Sequence, residues 1–524
     1  MNLNLFGHNL VKKHIIIILL TFFICALTTA QTSNSLLQEL NALNLSGFNI
    51  TEIEDVLSGQ FTLPGGKIAK DLPPFLRIAF TSKPTPESNI RIELWLPKDT
   101  WNGSFLGTGS GGGGGKIIYN GLISGVIKGY ATANTDMGTS PGVDKIIDYP
   151  ERWADFGYRS THLMTVLSKK ILETYYKKTP LNSYFLGCST GGEQAMMEAQ
   201  RYPEDYNGVI AGAPASNRTH LHTLFLWNLI NTYDSVGNAL ISSEKMELLK
   251  KILLQNYKGK DGGAPSDNFF TDQRMLNFDS EILPKCSESV LDSCFSRQEI
   301  AVLKKLYDGP TNMRTGQRIY APSPLGATSL EVTPSSSLFY MFKWIFGENY
   351  DYTKFDFDND MQKMDSILAP ILNANNPNLS AFKNSGGKLL MYTGTEDQIV
   401  PYPDAINYYE RVIEAQGSLK ETQNFFRFFL VPGMGHCNGG PGLNDIGDKL
   451  AVMRDWVEKG IAPDKIIATA FICCDKSETR FKRPIYPYPK FPHYIGGNPN
   501  SPSSYDGVDH PRGEVLKPDP IYLK

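Results

Sequence analysis

Three residues set far apart in this chain could together do nucleophilic chemistry. Gly187-Cys188-Ser189-Thr190-Gly191 fits G-x-S-x-G, a sharp turn that lifts a serine hydroxyl out at the end of a strand. Val431-Pro432-Gly433-Met434-Gly435-His436-Cys437 carries a histidine in a glycine-rich loop behind an apolar run. Gly394-Thr395-Glu396-Asp397-Gln398 lies between them and offers an acid just past a strand end. In that arrangement His436 takes the proton from Ser189, and Asp397 orients and stabilises the imidazolium. Glu396 and Asp404 are neighbouring competitors for the acid. Ser189 follows Cys188, and His436 precedes Cys437. A disulfide holds its α-carbons roughly 5–6 Å apart. A bridge between these two cysteines would therefore bring Ser189 and His436 within reach of each other.

The elements around these residues have the order that such a site needs. Ser183-Tyr184-Phe185-Leu186 is a short apolar strand feeding Gly187, and the residues from Gly191 to Tyr202 have a helical pattern. Strands are also expected at Ile90–Pro97, Gly129–Asp136, Val209–Pro214, Gly387–Tyr392 and Phe425–Val431, with a helix over Arg159–Tyr176. Strand–helix alternation with the order Ser, Asp, His predicts an α/β fold, an α/β-hydrolase core. The regular alternation stops after Ala215 and resumes near Gly387, so residues 216–383 read as an inserted lid domain. The catalytic domain is then discontinuous, 31–215 and 384–524. The segment before Asn89 reads as short amphipathic stretches and turns, and the Pro- and Gly-rich tail from Tyr486 as irregular structure.

An acyl-transfer site needs two fixed N–H donors for the oxyanion. One is expected from the backbone of Thr190, the residue after the nucleophile. The other is expected from the run Gly109–Gly115, at Gly111 or Gly112, where glycine permits close approach. The other histidines read more plainly. His162 falls in a helical pattern, His220 and His222 lie at the lid entrance, and His493 and His510 lie in the tail. Asp356–Asp360 resembles the start of an EF-hand loop but lacks the required glycine, Met361 standing there, and lacks a closing glutamate. The aromatic run Phe339–Phe346 reads as core rather than pocket wall.

With 524 residues, 41% of them hydrophobic, the chain can bury a large core, and its net charge of −3 argues against nucleic acid or an anionic membrane as partner. The start has the pattern of an export leader, residues 1–30: Lys12 and Lys13, an apolar run from Ile15 to Leu27, and small residues up to Ala30. The run is short for a membrane span. A secreted or periplasmic protein is expected, with no stable membrane insertion once the leader is removed. In an oxidising compartment the six later cysteines should pair where geometry allows. Cys286 and Cys294 could close a small loop, and Cys473 and Cys474 are adjacent.

Taken together, these segments resemble the tannase and feruloyl esterase family. Gly187–Gly192, Glu198–Pro203 and Gly208–Pro214 resemble its nucleophile region, and Val431–Cys437 with Asp455–Gly460 its histidine region. The resemblance implies a disulfide between Cys188 and Cys437, a lid inserted before the acid loop, and a small aromatic carboxylic ester as substrate, feruloyl, galloyl or related. A mono(2-hydroxyethyl) terephthalate-type hydrolase belongs to the same family and is the alternative within the class. Peptidase activity and a silent binding protein on the same scaffold are the rivals outside it. The pair Cys286 and Cys294 resembles a lid disulfide, whereas Tyr486 stands where the family commonly has a cysteine. No cofactor is required for the chemistry. The family commonly holds structural calcium in the lid, and the nearest counterparts here are Asp261 and Asp267, with Lys258 at the first acidic position.

Overall fold

The structure, a computed structural model, describes residues 35–42, 46–287, 292–328, 333, 337–472 and 476–510. The expected leader and the pair Cys473 and Cys474 lie outside the described residues. Among the described residues nine strands form the central sheet, in the order β1-β4-β5-β7-β6-β8-β9-β10-β11. These are β1 (Phe48–Val56), β4 (Phe75–Ser82), β5 (Ile90–Pro97), β6 (Ser104–Thr108), β7 (Ala131–Thr135), β8 (Asn182–Cys188), β9 (Gly208–Gly212), β10 (Lys388–Gly394) and β11 (Phe426–Val431). A two-stranded ribbon, β2 (Gln60–Thr62) with β3 (Ile68–Lys70), stands beside them. Strands β1, β4, β5 and β7 pair antiparallel, while β7, β6, β8, β9, β10 and β11 run parallel. This is an α/β-hydrolase core.

Period-two alternation sorts the strand residues onto two faces. Phe105, Phe185, Val209, Leu389, Met391 and Phe428 pack into one core with the helices Ser160–Tyr176, Thr190–Arg201 and Tyr402–Gln416. Their neighbours Leu106, Tyr184, Ile210, Leu390, Tyr392 and Phe429 pack on the other face against the helix Lys449–Lys459. The apolar strands are buried on both sides, as parallel strands covered by helices must be.

Two expectations need correction. The segment before Asn89 supplies β1 and β4 to the main sheet. Strand β4 escapes notice because Arg77 interrupts its apolar run; the charge is buried against Glu93 of β5, with Nε and Nη2 at 2.8 and 2.6 Å from the carboxylate. The tail is also more regular than its composition suggests. β12 (Ile466–Phe471) pairs with β13 (Thr479–Ile485), and β14 (Lys490–Tyr494) pairs with β15 (Tyr505–Asp509). Pro492 and Gly507 sit opposite each other in that last ribbon, which has only two strands and so spares proline a second ladder.

Between Gly212 and Lys388 the described residues add helices and loops but no strand to the central sheet. The aromatic run forms a helix, Tyr340–Phe346, whose Tyr340, Met341, Phe342 and Trp344 are buried. Trp344 stacks on Trp153 with ring centroids 5.3 Å apart. Among the described residues no helix is long and apolar enough to cross a membrane.

Candidate active site

Ser189 sits between the end of β8 and the start of the helix Thr190–Arg201 with φ 63° and ψ −122°. A positive φ is costly for serine and persists only where the surroundings enforce it. Here they do. Its N–H donates to Gly212 O at 3.0 Å, and its carbonyl accepts from Glu193 N–H at 3.0 Å. The turn also needs room beneath it: a Cβ on Gly109 would lie 2.5 Å from the Cα of Gly191.

His436 and Asp397 meet directly. Nδ1 of His436 is 2.9 and 3.1 Å from the two oxygens of Asp397. An ionised carboxylate can only accept, so Nδ1 carries the proton and Nε2 is left as a base. Asp397 is fully buried, and its Oδ1 also accepts from the N–H groups of Ile399 and Val400 at 2.9 and 2.8 Å. The two loops are stitched to each other: Glu396 N–H donates to Met434 O at 3.0 Å, and Gly433 N–H to Thr395 Oγ1 at 2.9 Å. The competing acids have other partners. Glu396 is held by Lys250 at 3.1 Å. Asp404 lies half-buried in the first turn of the helix Tyr402–Gln416, and desolvation pushes its carboxyl up to about 6 against the pull of Arg411.

The disulfide links the two halves. Cys188 and Cys437 are bonded with Cα atoms 5.9 Å apart across 249 residues, so the neighbours Ser189 and His436 come from adjacent backbones. Cys286 and Cys294 are also bonded, with Cα atoms 5.1 Å apart. Beside the first bridge lies a cavity of about 800 Å³, lined by Ser110, Gly111, Cys188, Cys437, Lys449 and Arg480 among others. Ser189 and His436 are not part of its lining.

Thr190 opens its helix, and the first N–H groups of a helix have no intrahelical acceptor. The glycine loop stands against this helix. Ser110 N–H is taken by Gln194 Oε1 at 2.8 Å, and Gly109 N–H by Leu186 O at 2.9 Å. Gly111 and Gly112, the next two residues, are exposed, and Gly112 has φ +57°. The carbonyl of Gly112 accepts a hydrogen bond from Thr190 Oγ1 at 2.6 Å.

Other histidines are structural in their contacts. His162 Nδ1 is 2.7 Å from Asp205 and its ring stacks on Tyr202. His220 lies between Ile319 O and Asp365, at 2.8 Å from each. His222 is buried with Nδ1 2.6 Å from Leu338 O, and burial, reinforced by Arg218, pushes it down to about 3. His493 packs on Phe491, and His510 lies 4.0 Å from Asp272.

Asp261 and Asp267 do not fit a calcium ion. The two oxygens of Asp261 accept from the N–H groups of Gly263 and Thr271. Those of Asp267 each receive an Arg483 nitrogen at 2.7 Å, and Oδ2 accepts from Ala264 N–H as well. A guanidinium already supplies the positive charge, and the six to eight free oxygens that calcium takes are absent from this set. Among the described residues the one group with metal-ligand spacing is His162, Glu198 and Asp205. There His162 Nδ1 is already hydrogen-bonded to the Asp205 carboxylate, and the Lys169 ammonium, held on the main-chain carbonyl of Asp205, puts a positive charge beside the group.

The sequence reading missed the polar groups beneath the nucleophile turn. Glu193, Arg218 and Tyr340 are 2%, 3% and 4% exposed, and Arg218 donates to both of the others. Arg218 belongs to the inserted region and Glu193 to the helix after the serine, and no motif or spacing joins them.

Comparison with known proteins agrees with this architecture. The chain matches the family described as tannase and feruloyl esterase over residues 77–348 and 338–508. It is 32% identical to an uncharacterized esterase of Xanthomonas campestris, covering 94% of this chain and 95% of that protein. It is also 32% identical to a probable feruloyl esterase of Arthroderma benhamiae, covering 80% and 82%. The crystal structure of feruloyl esterase B from Aspergillus oryzae superposes with a TM-score of 0.82 at 26% identity, covering 88% of this chain and 97% of that one. The chain therefore belongs to the tannase and feruloyl esterase family and is a carboxylic ester hydrolase built on an α/β-hydrolase core.

Proposed function

We propose that this protein is an exported serine esterase that cleaves esters of aromatic carboxylic acids through an acyl-serine intermediate. The observation that carries the reading is the hydrogen-bonded pair Asp397–His436, tied by the Cys188–Cys437 bridge to a serine held at positive φ. Ser189 Oγ attacks the ester carbonyl while His436 Nε2 takes its proton. The tetrahedral oxyanion is held by the N–H of Thr190 and an N–H of Gly111 or Gly112. His436 then returns the proton to the leaving alkoxide, and a water activated by the same base frees the acid. Asp397 keeps the imidazole in the required tautomer and balances its charge.

Residues 216–383 serve as the lid over a catalytic domain of residues 31–215 and 384–524. The aromatic acyl preference rests on the relatives named as feruloyl esterases. Export rests on the leader-like residues 1–30 and on two disulfides, which persist in oxidising compartments. The test is turnover of methyl ferulate, methyl gallate, mono(2-hydroxyethyl) terephthalate and p-nitrophenyl acetate by wild type and Ser189→Ala. Serine-dependent turnover of one aromatic ester well above the acetate is expected and names the acyl group. Turnover retained in Ser189→Ala would overturn the mechanism.

A further inference from the structure

Thr190 is needed above only for its N–H, yet its side chain is tied into a buried relay. Arg218 opens the helix Arg218–Thr232, the first helix of the inserted region. Its Nε donates to Glu193 Oε2 at 2.5 Å, Nη1 to Tyr340 OH at 3.0 Å, and Nη2 to Thr190 Oγ1 at 2.8 Å. Its face lies over the Phe156 ring at 5.1 Å. Thr190 Oγ1 in turn donates to the carbonyl of Gly112 at 2.6 Å.

The direction of these bonds is forced by chemistry. Guanidinium has donors and no acceptor, so Thr190 Oγ1 must accept from Arg218. The hydroxyl has a single proton, which is then free only for Gly112. The neighbouring carbonyls are pinned too: Gly111 O accepts from Gly114 N–H at 3.1 Å, and Gly113 O from Thr139 Oγ1 at 2.7 Å. Three successive peptide planes of the glycine loop are thus fixed, the middle one through Arg218. Without that bond, Gly112, which is exposed and has space around its Cα, has a backbone free to turn.

We propose that Arg218 is a positioning residue for the oxyanion hole, acting through the Thr190 hydroxyl to hold the Gly111–Gly112 loop against the nucleophile helix. The inference rests on the serine-esterase reading, with Thr190 and this loop as the oxyanion donors. It also ties the geometry of the hole to the first helix of the lid. Preorganised donors stabilise the oxyanion only if they are already in place, so a loosened loop lowers kcat and leaves KM nearly unchanged.

The test compares Thr190→Val, Thr190→Ser, Arg218→Lys and the double variant Thr190→Val/Arg218→Lys, using whichever panel ester wild type turns over. Thr190→Val keeps the backbone N–H and removes the relay. Its kcat should fall by about 10- to 100-fold, less than the loss of a whole oxyanion donor, with KM within about twofold. Thr190→Ser should restore most of the rate. Lysine cannot span Glu193 and Thr190 with a planar fork, so Arg218→Lys should also lower kcat, and the double variant should be no slower than the slower single one. Wild-type kcat in Thr190→Val, or losses that multiply in the double variant, would overturn the proposal. Should Arg218→Lys fail to fold, the contrast between valine and serine at position 190 still decides. If Ser189→Ala remains active, the esterase mechanism fails instead, and that result is read separately.

Discussion

Arg483 and Asp267 are joined by two parallel hydrogen bonds of 2.7 Å across 216 residues, with side chains only 4% and 7% exposed. The arginine comes from β13 and the aspartate from the region between β9 and β10, so this pair fastens the C-terminal ribbon to the inserted segment. The guanidinium also lies over the rings of Phe481 and Tyr505, at 4.4 and 4.7 Å. In this chain an arginine performs the cross-linking that a divalent cation could perform between two carboxylates.

Calcium should therefore have little effect. A ligand that binds the native state raises Tm, so thermal melting with a chelator and with added calcium should agree within about 1 °C. The arginine should matter instead. Arg483→Leu leaves the Asp267 carboxylate buried without its partner, and breaking such a pair costs about 3–5 kcal/mol. A calcium-dependent rise in Tm of several degrees would refute this view of the site.

How much of this was legible in sequence depends on whether a feature is local. Ser189, Asp397 and His436 each follow a strand with clear apolar patterning, so local signals single them out as candidates, and the structure brings Asp397 and His436 into contact. Strand β5, Ile90–Pro97, is found at its expected bounds. Strand β1 is not evident because its run of Glu52, Glu54 and Asp55 looks like a solvated turn, although Glu52 and Glu54 both reach Arg77. The Asp267–Arg483 and Glu193–Arg218 pairs have no period and no spacing rule. They exist only once the fold has brought distant segments together, and single-sequence patterns carry no information about that.

The Cys188–Cys437 bridge should be needed for rate as well as stability. Replacing both cysteines by alanine removes a closure of 249 residues and should cost about 2–5 kcal/mol. Because the bridge sets the separation of the Ser189 and His436 backbones, kcat should fall even at temperatures where the variant is fully folded. Cys286→Ala/Cys294→Ala removes a closure of only 8 residues and should leave kcat unchanged. Steady-state kinetics and melting of both variants decide, and equal kcat in the two would remove any role of the first bridge in catalysis.

Asp397→Asn tests the tautomer argument. The asparagine can still accept from Ile399 and Val400 through its oxygen, so folding should be retained. Its amide then faces Nδ1 of His436 and favours the tautomer with the proton on Nε2, which cannot accept from the serine. A fall in kcat on the order of 10³–10⁴-fold is expected, with KM little changed. A loss below about tenfold would mean that another acid, such as Glu396, supports the histidine.

His222 should make the protein sensitive to acid. Burial, aided by the positive charge of Arg218, pushes it down to about 3, while its hydrogen bond to Leu338 O pulls the other way. In the unfolded chain a histidine titrates near 6.5. The folded state thus holds His222 neutral at pH values where the unfolded chain binds a proton. Its stabilising contribution is complete above about pH 6.5 and is lost as pH falls toward 3, roughly 3 kcal/mol of it by pH 4. His222→Gln keeps an N–H that can reach Leu338 O and cannot titrate. The drop in Tm between pH 7 and pH 4 should therefore be smaller in His222→Gln than in wild type. Equal drops would mean that acid lability comes from other groups, and that His222 keeps an ordinary affinity for its proton inside the fold.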